Sequence, residues 1–111
     1  MIAEVTRHRE GIAALCERYG VRRLELFGSG ATGEYDPLTS DIDFLVTYPE
    51  GYDFGPWLGK YFDLRQDLRD LLRTRVDLVM SGALRHDWFR ESVEATREVI
   101  YDATTVTTLV E

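Results

Sequence analysis

The stretch from Leu24 to Val46, LELFGSGATGEYDPLTSDIDFLV, constrains the fold more than any other part of the chain. It joins one apolar run to a second through a glycine-rich turn and a polar loop, and the second run begins with two carboxylates, Asp41 and Asp43. A strand alternates its side chains between faces, so Asp41 and Asp43 are expected to point one way and Ile42 the other. Like charges side by side repel unless one takes up a proton or a cation lies between them. The solvated end of a strand is the plain reading of such a pair, and a cation site is the functional one.

The flanking sequence supplies the elements that would carry this stretch. Ile2, Val5, Ile12, Leu15 and Tyr19 have rough helical spacing, weakened by Gly11, and Gly20 is a natural stop for that helix. Val21 to Phe27 reads as a strand that becomes buried toward its end, where Gly28 breaks it. Gly28, Ser29, Gly30 and Gly33 predict a tight turn running into a short helix, Asp36-Pro37 is a turn signal, and Ser40 precedes the second strand, Asp41 to Thr47. After a Pro- and Gly-rich loop, Trp57 to Arg73 carries the strongest helical pattern in the chain, with its aromatic stripe expected in the core and its charges in solvent. Val76 to Met80 is a short strand with Asp77 placed early, and Leu84 to Thr96 reads as a last helix. Glu98 to Tyr101 follows as a final short strand or an extended segment, and the Thr-rich end is expected to fray. The expectation is a single domain over residues 1–103, with a tail over 104–111.

Composition narrows the function classes. The 111 residues suffice for one hydrophobic core. No apolar run reaches the ~18 residues of a membrane helix, and the charged start MIAEVTRHRE is unlike a secretory signal, so the expected address is the cytoplasm. A formal charge of −7 opposes a phosphate backbone and disfavours general nucleic-acid binding. It leaves room for a nucleotide, because a divalent cation reverses the local field around clustered carboxylates. Cys16 is the only cysteine, which excludes an internal disulfide and a cysteine zinc site, and its neighbours suggest a packed thiol.

The chemistry follows from residue types. Free amides where a strand turns into a helix can bind an anion, and glycine permits close approach, although such a turn by itself is equally a structural one. Carboxylates alone favour a hard ion such as magnesium. If Asp77 lies on the strand beside Asp43, three carboxylates can hold two ions about 3.5–4 Å apart, the arrangement used for in-line phosphoryl displacement. Asp77 is also the remaining candidate to accept the proton of an attacking hydroxyl.

Gly28-Ser29, then Gly33, then Ser40-Asp41-Ile42-Asp43 followed by Phe44-Leu45-Val46, resemble the signature of the minimal nucleotidyltransferases of the DNA polymerase beta superfamily. YFDLRQDLRDLL, VDLV and WFRESVEATREVIYDA extend the resemblance downstream, so that it covers the chain from about Cys16 to Ala103. The resemblance implies an α+β fold, a small mixed sheet flanked by helices. It also implies Mg2+ and transfer of AMP from ATP to a hydroxyl with loss of pyrophosphate. Carried over by position, Gly28, Ser29, Gly30 and Ser40 would bind the nucleotide, and Asp41, Asp43 and Asp77 would hold the metal, with Asp77 also taking the acceptor proton. One departure is Thr32, where family members often have Arg, so a positive group near the turn is missing.

Stand-alone minimal members resemble the antitoxin half of toxin–antitoxin pairs whose partner is a HEPN-type ribonuclease. The implied reaction there is transfer of AMP to a tyrosine of the toxin. The short chain leaves the acceptor on a partner, on a second copy of the chain or in a shallow cleft, so a hetero-complex and a homo-oligomer both stay open, and its composition leads to no expectation of direct contact with nucleic acid or membrane. The competing readings are an antitoxin that neutralises its partner by binding alone and a transferase acting on a small molecule of the aminoglycoside type. No residue reads an adenine edge, and His8 and His86 are expected to be ordinary exposed residues.

Overall fold

The computed structural model describes residues 2–28, 36, 41–81 and 97–103. Its elements in chain order are α1 (Ala3–Arg7), α2 (Arg9–Tyr19), β1 (Arg23–Phe27), β2 (Ile42–Thr47), a 3-10 turn (Pro56–Leu58), α3 (Gly59–Leu72), β3 (Val76–Met80) and β4 (Glu98–Asp102). The helix expected over Ile2 to Tyr19 is broken at His8, which leaves helical geometry with φ −105° and ψ 15°. Gly20 stops α2 as expected: it takes φ 69°, its N–H reaches the Glu17 carbonyl, and the Val21 N–H reaches that of Cys16. These two bonds close the helix end with the left-handed residue that only glycine adopts without strain. The expected helix over residues 84–96 and the tail lie outside the described residues.

The four strands form one mixed sheet in the order β3-β2-β1-β4. β1 pairs antiparallel with both β2 and β4, and β2 pairs in parallel with β3. Alternation along the strands then sorts the side chains. Leu24 and Leu26 of β1, Ile42, Phe44 and Val46 of β2, and Val76 and Leu78 of β3 pack with Val5, Ile12 and Cys16 and with Leu64, Leu68 and Leu72 of α3 in one core. The three helices among the described residues therefore cover the same face, which is the α+β arrangement expected from the sequence. Cys16 is fully buried, and burial pushes its thiol up to about 12, as suits a packing residue.

One expectation is corrected. Trp57 was expected to lead the core stripe of the long helix, yet it is 94% exposed, and Leu58 and Phe62 are exposed beside it. The reason is local. Trp57 and Leu58 take left-handed φ values of 58° and 56° in the turn before α3 begins, so helical periodicity does not extend back to them. Phe62 is a helical residue but lies off the stripe formed by Leu64, Leu68 and Leu72. Arg65 lies over its ring at 5.4 Å.

Candidate active site

The strand register builds the site. β2 and β3 pair Ile42 with Val76 and Asp43 with Asp77, while β1 brings Phe27 opposite Asp43. Phe27, Asp43 and Asp77 therefore stand in one rung on the face away from the helices, and Asp77 does return to the side of Asp43 across more than thirty residues of chain. The next rung on this face is Glu25, Leu45 and Val79, and Phe27, Leu45 and Val79 form a small apolar cluster beside the carboxylates.

Asp41 lies one residue before β2, which begins at Ile42 and not at Asp41. The Ile42 N–H donates to the Arg75 carbonyl at 3.0 Å, so the register continues and sets Asp41 opposite Arg75. Arg75 Nε lies 2.8 Å from Asp41 Oδ1. Asp41 and Asp43 flank a fully buried Ile42, as alternation requires.

The electrostatics show the cost of this arrangement. Burial pushes the Asp43 carboxyl up to about 6, and the neighbouring charges of Asp77 and then Asp41 add to the effect. β3 is an edge strand, and its outward carbonyls are capped from α3. The Tyr61 hydroxyl donates to the Leu78 carbonyl, and Arg69 Nε and Nη2 donate to that of Val76 at 3.3 and 3.2 Å. These bonds flank Asp77 and hold its strand against β2. At the head of the site Gly28 has φ 70°, and a Cβ there would lie 2.7 Å from Asp43 Oδ2. Only a residue without a side chain leaves that space open.

A hard divalent cation suits this donor set: the groups are all carboxylates, burial and the charges of Asp77 and Asp41 disfavour an uncompensated Asp43 carboxylate, and the glycine keeps the approach clear. Among the described residues, however, no group of three or more Asp, Glu, His or Cys is already gathered to hold an ion. Asp43 and Asp77 face each other in the pairing, whereas Asp41 is engaged by Arg75. Ser29, Gly30, Thr32 and Ser40 lie outside the described residues.

Sequence reasoning missed Arg75, Glu25 and the Tyr61–Arg69 clamp. Glu25 is only 2% exposed and lies 3.8 Å from Arg23 Nη1 and 3.3 Å from Arg97 Nε. Its outward position in the run LELF is a readable signal, but its partner Arg97 is remote in sequence.

Comparison with known proteins gives a consistent picture. Residues 8–105 match the family described as "Nucleotidyltransferase domain". The protein adenylyltransferase MntA of Thermococcus cleftensis is 38% identical over 97 residues, 87% of each chain. A solved structure provisionally described as a minimal nucleotidyltransferase superposes with a TM-score of 0.70 at 36% identity, covering 88% of this chain and 95% of that one. A chain from the complex of a tri-AMPylated Shewanella oneidensis HEPN toxin with MNT antitoxin matches with a TM-score of 0.62 and 21% identity, over 94% of this chain and 77% of that one. At that identity the likeness is one of fold.

Proposed function

The chain belongs to the nucleotidyltransferase domain family, and on that premise we propose that it transfers AMP from ATP to a tyrosine hydroxyl of a HEPN-type ribonuclease toxin, for which it is the antitoxin. The observation that carries the reading is the rung that sets Asp43 against Asp77 beside the open space over Gly28. The 38% identity to MntA supports a protein as acceptor. The fold shared with a chain of a toxin–antitoxin complex is compatible with the proposed partner.

In this reading Asp41, Asp43 and Asp77 would hold Mg2+. Bound there, the ion would offset the carboxylates and stabilise charge on the transferring phosphoryl group. Gly28 leaves the backbone accessible to the triphosphate, and Ser29, Gly30 and Ser40 would contact it. Asp77, the exposed carboxylate of the pair, would take the proton of the attacking tyrosine. The bond from that oxygen to the α-phosphorus forms as the bond from the α-phosphorus to the bridging oxygen breaks, and pyrophosphate leaves.

A second reading, inhibition by binding alone, is favoured by the ion pair that occupies Asp41. Incubation with labelled ATP, Mg2+ and the protein encoded by the neighbouring gene separates the two. Label on a tyrosine of that protein, lost in the Asp41→Asn/Asp43→Asn double variant, is the expected result. Inhibition of the partner without label would establish the binding reading, and full transfer by the double variant would overturn the metal assignment.

A further inference from the structure

We propose that Arg75 is an internal counter-cation of this site: it holds Asp41 while no divalent cation is bound, then yields Asp41 to the cation and turns its guanidinium to the polyphosphate of the nucleotide. The inference rests on the reading above, that the carboxylates hold a divalent cation beside a nucleoside triphosphate.

Three observations carry it. First, the face is crowded with like charge: Asp43 and Asp77 pair across the β2–β3 register, Asp41 lies two residues before Asp43, and Arg75 lies against the outermost of the three, 2.8 Å from Asp41 Oδ1. Second, the pair is easily exchanged. The side chains of Arg75 and Asp41 are 62% and 48% exposed, and ion pairs so open to water contribute little to stability. A doubly charged ion in direct contact with a carboxylate competes well against such a partner. Third, Arg75 cannot leave the site when it releases Asp41. Its carbonyl accepts the Ile42 N–H at 3.0 Å, so its backbone stays locked in the continuation of the β2–β3 register, on the face that bears Asp43 and Asp77.

The chemistry of the group suits both tasks. A planar guanidinium matches carboxylate and phosphate oxygens equally well and stays charged throughout. Arg23 and Arg97 are committed elsewhere on the sheet, both to the buried Glu25. Among the described residues, Arg75 thus supplies a positive charge on the rung next to Asp43, where a bound triphosphate would lie close to carboxylates.

Replacing Arg75 by Gln should therefore act in opposite directions on two equilibria. Affinity for Mn2+ alone, measured by calorimetry without nucleotide, should rise about fivefold, the equivalent of about 1 kcal/mol at the upper end of exposed ion pairs, because a competitor for Asp41 is gone. Affinity for a non-hydrolysable ATP analogue in saturating Mg2+ should fall by about the same factor, because the polyphosphate loses a partner. Arg75→Lys should restore part of both effects. A merely structural role would weaken both constants together, and that result, or no change in either, would overturn the inference. Asp43→Asn in the same Mn2+ titration separates this failure from failure of the site reading. If Asp43→Asn abolishes Mn2+ binding while Arg75→Gln shows no opposite shifts, the inference on Arg75 alone falls; if Asp43→Asn binds Mn2+ as well as wild type, the site reading falls with it.

Discussion

Gly28 and Asp43 are coupled through a distance of 2.7 Å, that between Asp43 Oδ2 and the place a Cβ would occupy on Gly28. Gly28→Ala should lower stability by about 1–2 kcal/mol through its positive φ alone, and should push the Asp43 carboxylate out of the rung. Chemical denaturation would check the first effect, and loss of the proposed AMP transfer beyond what the stability change explains would check the second. Asp43 itself makes a pH prediction. Its folded value, about 6, lies above its ordinary one of 3.8, so its contribution to stability is fully present below about 3.8 and is lost as pH rises through about 6. Asp43→Asn should therefore melt higher than wild type at neutral pH without divalent cation, by an amount worth about 1 kcal/mol after solvent screening, with the gap closing toward pH 4. Thermal melts of both proteins across that range would show it. The Asp pair was legible as a functional feature because alternation places both carboxylates on one face. Arg75 was not, since no local rule says which basic residue will meet Asp41.

At the scale of elements, α3 departs from its sequence pattern at both ends for one reason. The apolar spacing from Trp57 to Arg73 identifies the helix, but its limits depend on backbone conformation, and Trp57, Leu58 and Arg73 all take left-handed φ. Arg73 caps the helix at φ 55°, with its N–H donating to the Arg69 carbonyl at 2.7 Å, in a position that glycine usually fills. Arg73→Gly should raise stability by about 1 kcal/mol, because the exposed side chain there opposes the conformation its backbone must hold. A shift in denaturation midpoint with an unchanged slope would bear this out, and a fall in midpoint would contradict it. The same helix caps the edge strand through Tyr61 and Arg69, a task invisible in its amphipathic pattern, since hydrogen bonds to a distant carbonyl leave no trace in periodicity.

At the scale of the whole molecule, a net charge of −7 and a carboxylate face would make the approach of the proposed acceptor protein an electrostatic event. If the acceptor is a ribonuclease with a basic RNA site, raising ionic strength should lower the rate of transfer to it at limiting partner concentration, while the rate at saturating partner changes much less. Steady-state transfer at two salt concentrations would measure the split, and a salt-independent rate would speak against charge steering. The sequence by itself determined the strands, the one-sided carboxylates and the family signature, because alternation, helical spacing and turn chemistry act over a few residues. Only the tertiary structure decided that Asp77 stands opposite Asp43 and Arg75 opposite Asp41, that Glu25 is buried between Arg23 and Arg97, and that Trp57 faces water. Those outcomes depend on strand order, on parallel register and on left-handed turns, which are set by packing the whole chain around one core.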